Sequence, residues 1–187
     1  AFSVLIRRLA SSCFTLLAIM NARRKDEVKG KETGLYYGCL NEVSEPLTTY
    51  ICTMYIEKTV KDYVPIEINR VSADAVRVLE RMMQIALPNA KPASVPSKRE
   101  FNLFKVPVPS SAGIRFVAVD EAALSDYYQY TCREFREGVR IKNHSFRRRA
   151  AILYKYRFEH PSLLAVSDML FHNNLAMTKT YLTDPDL

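Results

Sequence analysis

The feature that most constrains this chain is an uncharged run near its start. From Leu9 to Ala22 there are 14 residues without a charge. Burying one large apolar side chain is worth about 1.5–3 kcal/mol, so a run like this is expected inside a core. A membrane span needs about 20 predominantly apolar residues, which favours a buried core helix over a crossing and implies no membrane partner. Leu5, Leu9, Cys13, Leu16 and Met20 recur at helical spacing and are expected to form the buried face. A secretory signal would need a small-residue cleavage site after the run. Asn21-Ala22-Arg23-Arg24-Lys25 is a poor one. The sequence begins without Met and already inside the apolar pattern, so it reads as a piece of a longer protein.

Composition narrows the function classes. There are 27 Lys+Arg against 20 Asp+Glu, a formal charge of +7 over 187 residues. A basic balance points toward a polyanion such as nucleic acid. A 48% hydrophobic content excludes a wholly disordered chain, and the length suits one domain. Five glycines argue against a Gly-rich nucleotide-binding chain, and three histidines against a His-rich metal site. Cys13, Cys39, Cys52 and Cys132 form no C-x-x-C pair and read as reduced core thiols of a cytosolic chain.

Along the chain, the apolar helix is followed by a charged run from Arg23 to Lys31 and a turn over Thr33 to Gly38. Thr49 to Ile56 and Tyr63 to Ile68 read as strands, joined by a hairpin turn over Lys58 to Asp62. Ser72 is expected to cap a helix whose buried face is Val76, Leu79, Met83 and Ala86, and Pro88 to end it. Residues 88–118 carry five prolines and no helical period, with candidate strands at Phe101 to Val106 and Ile114 to Val119. Asp120 is expected to cap the next helix, with Leu124, Tyr128, Thr131 and Phe135 on one face. Three further helices are predicted, over about 145–158, 162–171 and 175–182. Pro161 suits the first turn of the second. Asn173-Asn174 suit the break before the third, because Asn tolerates the left-handed conformation.

In the first of those three helices Arg147 shares a stripe with Ala151, Tyr154 and Phe158. An arginine there either pairs in the interior or snorkels from the stripe's edge. His144 lies three residues before Arg147, His172 lies 25 after it, and Tyr181 nine after His172. Asn143-His144-Ser145-Phe146-Arg147, then Leu170-Phe171-His172, then Thr178-Lys179-Thr180-Tyr181 resembles the C-terminal signature of the tyrosine recombinases, the phage integrase family, which reads H-x-x-R, L-G-H and T-x-x-Y. Two departures stand out: Phe171 replaces the usual Gly, and the interval from Arg147 to His172 is slightly long. The resemblance extends forward. Arg24 with Glu27 matches an early arginine followed three residues on by a glutamate, with Arg23 and Asp26 as the alternative. Lys58 before Val64-Pro65-Ile66 matches a hairpin lysine, with Lys61 as the alternative.

The resemblance implies an α+β, mainly helical catalytic domain with a small antiparallel β-sheet, spanning 1–187 without the family's N-terminal core-binding domain. It implies site-specific cutting and rejoining of DNA through a covalent 3′-phosphotyrosine. In that scheme Arg24 and Arg147 bind the phosphodiester, Tyr181 attacks, His144 takes part in proton transfer, Lys58 protonates the leaving hydroxyl and His172 hydrogen-bonds a phosphate oxygen. Two guanidiniums suit an anionic phosphate because they stay charged and bind it in bidentate fashion. A phenol, with an ordinary pKa near 10, needs a neighbour to take its proton as it attacks. Arg23, Lys61, Arg148, Arg149 and Lys179 are expected to contact the flanking DNA backbone. The implied partners are double-stranded DNA and further copies in a tetrameric synapse, with no metal or small-molecule cofactor, in the cytoplasm at the nucleoid. A type IB topoisomerase shares the constellation, and a non-catalytic DNA-binding module with the same fold is the other alternative.

Overall fold

The computed structural model describes residues 2–44, 46–93, 101–135, 143–157 and 162–183, with the side chains of 132–135, 143, 144 and 181 outside the described set. The fold is α+β with helices dominant. Helix α1 (Phe2–Met20) leads into a short α2 (Lys25–Lys29). Strands β1 (Leu40–Val43), β2 (Thr49–Ile56) and β3 (Asp62–Ile68) form an antiparallel sheet in that order. Helix α3 (Arg70–Ala86) precedes a two-stranded antiparallel hairpin, β4 (Lys105–Ser110) and β5 (Gly113–Ala118). Helices α4 (Glu121–Phe135), α5 (Asn143–Arg157), α6 (Leu163–Leu170) and α7 (Leu175–Thr183) complete it.

By length and composition α1 is apolar enough to cross a membrane. Here it packs against α3, α4, α5 and β4 as the central helix of the core. Its buried face differs from the expected one. Ala10, Cys13, Phe14, Leu17 and Ala18 are buried, whereas Leu5, Leu9, Leu16 and Met20 are exposed, Leu5 by 60%. The reason is that the run is uncharged and carries large apolar residues on both sides of the helix, so its periodicity names no unique face. Small residues decide instead: Ala10, Ser11 and Ala18 let neighbouring elements approach closely, and the Ser11 hydroxyl reaches the Ala123 carbonyl of α4 at 3.5 Å. At the polar end of the same helix, Arg7 pairs with Asp120 and Arg8 with Asp126.

The sheet follows the alternation of β2, where Cys52, Met54 and Ile56 face the core. Cys13, Cys39 and Cys52 are buried and unbridged, and Cys132 lies among the side chains outside the described set. Asn69, rather than Ser72, caps α3: its Oδ1 accepts from the Ser72 N–H at 2.9 Å, while the buried Ser72 hydroxyl accepts from Asn21. Val76, Leu79 and Met83 are buried as expected. The proline-rich segment holds β4 four residues later than expected. Pro107 and Pro109 sit at alternate positions opposite Phe116 and Ile114. Antiparallel residues of that parity donate nothing to the partner strand, so two prolines fit one strand. Asp120 caps α4, accepting from the Ala123 N–H at 2.8 Å. Leu124 and Tyr128 are buried beneath it, and Phe135 lies outside the described side chains.

A second, smaller core gathers Ala22, Ala151, Val166 and Leu170, with Tyr154, Met169 and Leu182 packed on it. It joins the end of α1 to α5, α6 and α7. His160 and Pro161 lie outside the described residues; Ser162 caps α6, its hydroxyl accepting from the Ala165 N–H at 3.3 Å.

Candidate active site

The site is built around the end of α6. That helix closes with the Phe171 N–H donating to the Asp168 carbonyl and the His172 N–H to the Ser167 carbonyl, both at 3.0 Å. This pair of bonds is a Schellman closure, which requires its turning residue to be left-handed. Phe171 fills that place at φ 51° and ψ 49°. The departure from glycine therefore falls where glycine's conformational freedom matters. It also shows that the left-handed residue is Phe171; Asn174 instead caps α7, accepting from the Met177 N–H at 2.9 Å. His172 is thus pinned by its own backbone immediately after the turn.

Two arginines hold the carbonyls that α6 leaves exposed at this end. Arg147 is 3% exposed; it donates through Nη1 to the Ala22 carbonyl at 2.8 Å and through Nη2 to the Leu170 carbonyl. It lies in the interior and does not snorkel. Arg23 is equally buried, donating through Nε to the Asn21 carbonyl at 2.6 Å and through Nη2 to the Met169 carbonyl. Its guanidinium carbon sits 4.7 Å from the Phe171 ring centre. Ala22 between these contacts is itself left-handed, at φ 52°, and turns the chain from α1 into α2.

Arg24 begins α2. The fully buried Glu27 carboxylate accepts from its backbone N–H at 2.9 Å and from its Nη1 at 3.0 Å. The Arg24 side chain keeps 18% of its exposure, so unlike Arg23 it reaches a surface. The charged run thus holds a short helix that charge alone did not announce.

Burial, followed by the charges of Arg147 and Arg24, pushes the His172 imidazole down to about 4. The charges of Arg147 and Arg24 thus act on a ring that the sequence places far from both. The His172 Nδ1 lies 2.9 Å from the hydroxyl of the fully buried Thr178. When that hydroxyl donates, Nδ1 accepts and the neutral ring offers Nε2–H. Thr178 is a member of the T-x-x-Y pattern whose part sequence reasoning did not supply, and its spacing was the available signal. Tyr181 lies one turn further along α7, its side chain outside the described set, as is that of His144 at the start of α5.

Lys58 and Lys61 occupy the tip of the β2–β3 hairpin, exposed, with Lys61 left-handed at φ 57°. Arg148 and Arg149 line a groove of about 400 Å³ with Ser145, Ile152 and Leu153. Lys179 lines a second, of about 250 Å³, between α5, α6 and α7.

No family model matches this chain, and neither does any curated protein. Solved structures similar to it include two integrase complexes with DNA. One is a Tyr-to-Phe variant of the Tn1549 transposon integrase in complex with transposon right end DNA, at 14% identity and TM-score 0.44, covering 91% of this chain and 53% of that one. The other is the Tn1549 transposon integrase in complex with circular intermediate DNA, at 16% identity and TM-score 0.41, with 91% and 54% covered. The chain spans about half the length of those integrase chains. Likeness at this level carries no argument about chemistry, which rests on the side chains above.

Proposed function

We propose that this chain is a strand-cutting and strand-joining domain of tyrosine-recombinase type, acting on double-stranded DNA. The observation that supports it is Arg147 bonded to the end of α6 beside His172, with Thr178 tying His172 to the helix that bears Tyr181.

In this scheme the scissile phosphate takes Arg24 and Arg147 on its oxygens, where they bind the added charge of the transition state more tightly than the ground state. His172, uncharged at neutral pH, donates from Nε2 to a phosphate oxygen. Tyr181 attacks phosphorus, its proton passing to His144. The bond from phosphorus to the 5′-oxygen breaks, and Lys58 protonates that oxygen as it leaves. The product is a 3′-phosphotyrosine and a free 5′-hydroxyl. Attack by a 5′-hydroxyl from a partner strand reverses the steps and releases Tyr181. Arg148, Arg149 and Lys179 flank the duplex, and synapsis of further copies brings the partner strand.

The test is incubation with a nicked suicide substrate carrying the recombination site. A protein–DNA adduct that survives denaturant, and is lost in Tyr181→Phe, is the expected result. An intact protein that binds DNA with no adduct in either form is a binding module. Relaxation of arbitrary supercoiled plasmid marks a topoisomerase.

A further inference from the structure

We infer that Arg23 is a positioning residue for His172, acting through the Phe171 ring and the Met169 carbonyl, and not a contact to DNA. The inference deepens the reading above and rests on it for the identity of the site.

Four observations carry it. First, Arg23 is 3% exposed, so its guanidinium belongs to the packed joint between α1 and α6. Second, its donors are directed at main-chain carbonyls on both sides of the joint, Asn21 at the end of α1 and Met169 at the end of α6. A third nitrogen, Nη1, is buried without a hydrogen-bond partner among the described residues, which marks a guanidinium held by its surroundings and not by solvent. Third, the planar guanidinium lies over the Phe171 ring at 4.7 Å, a cation–π contact that a desolvated arginine strengthens. Fourth, Phe171 holds the left-handed place in the Schellman turn, and His172 is the next residue.

Glycine at that turn reaches the left-handed conformation without strain but also leaves it easily. A phenylalanine is strained there and persists only where its surroundings over-determine it. Arg23 supplies that determination. Its contact fixes the ring, and its bond to Met169 fixes the carbonyl two residues behind. Rotation at residue 171 swings the imidazole, so the lock sets where Nε2 points. In this chain a contacting pair of side chains, Arg23 and Phe171, replaces the conformational freedom of a glycine.

The experiment compares Arg23→Lys, Arg23→Met, Phe171→Tyr and Phe171→Leu with the unaltered chain. Three readouts are needed: the His172 ring shifts and titration by NMR, single-turnover adduct formation, and DNA affinity against salt. Arg23→Met and Phe171→Leu are expected to move the His172 ring shifts. They are also expected to slow adduct formation about ten- to hundredfold, the range a displacement of about an ångström produces. Both should leave DNA affinity and its salt slope unchanged. Phe171→Tyr keeps the ring and should retain wild-type shifts. Arg23→Lys keeps the charge but not the planar fork and should behave like Arg23→Met.

A fall in DNA affinity with a salt slope smaller by about one for Arg23→Met would make Arg23 a phosphate contact and overturn the inference. So would unchanged His172 shifts in a folded Arg23→Lys or Phe171→Leu. If Arg23→Met does not fold, the Phe171 pair decides alone, since Leu and Tyr differ there only in the ring. If the unaltered chain forms no adduct, the catalytic reading fails while the NMR comparison still decides the positioning role.

Discussion

At His172 a fall in pH charges a ring that burial and two arginines disfavour charging. Its folded value, about 4, lies below the ordinary 6.5 of an unfolded chain. Between those values the unfolded chain binds more protons, so this group's contribution to stability is complete above about 6.5 and is lost as pH falls toward about 4. The expected outcome is a urea midpoint that drops more steeply between pH 7 and 5 than that of His172→Gln, where the group is missing. A phosphate bound between Arg24 and Arg147 offsets their charge, so NMR titration in the presence of cognate DNA should place the ring higher. Arg147 makes a second prediction. Its removal strands two buried carbonyls and a charged contact to each, so Arg147→Ala should cost about 3 kcal/mol or more in chemical denaturation. At this scale the interior place of Arg147 was legible, because it shares a helical stripe with apolar residues. Arg23 was not, because its partners are backbone carbonyls, which every residue carries and no pattern of side chains marks.

Among the elements, the last three helices fell within a residue or two of their expected ends, since periodicity, Pro161 and the Asn pair bracket them. α1 was found as a helix but with the wrong face, because an uncharged run with large apolar residues on both sides gives no contrast for periodicity to read. The two faces now make opposite predictions. Leu17→Ala, at a fully buried position, should destabilise by about 3 kcal/mol. Leu9→Ala, at an exposed one, should cost less than about 1 kcal/mol, as surface changes do. The cap of α3 separates in the same way. Asn69→Ala removes the acceptor that holds the Ser72 N–H and should cost about 1 kcal/mol. Equilibrium unfolding of the three variants measures all of these. α2 was hidden because five residues of mostly charged sequence gain no helical signal from apolar spacing; the Glu27 carboxylate beneath Arg24 supplies what periodicity does not.

For the molecule as a whole, the net charge of +7 was legible from the start but its disposition was not. Several arginines are already engaged: Arg7 and Arg8 in surface pairs with acidic groups of α4 and its cap, Arg23 and Arg147 on buried carbonyls. The cations left for the flanking backbone are a smaller set on α5, α7 and the β2–β3 tip. Affinity for DNA should therefore fall with salt at about 0.9 log units per phosphate neutralised, and electrophoretic shifts across a salt series measure that slope. The position of α1 has a further consequence, in the order of synthesis. The carbonyl of Ala22 is met by Arg147, 125 residues later in the chain. At about 5–20 residues per second, a ribosome needs about 6–25 seconds to deliver that partner. Throughout that interval the long, uncharged stretch of α1 is finished while α4 and α5, which pack on it, are still being made. Nascent chains halted before residue 147 are expected to recruit holding chaperones or to aggregate, and release from them should coincide with the emergence of α5.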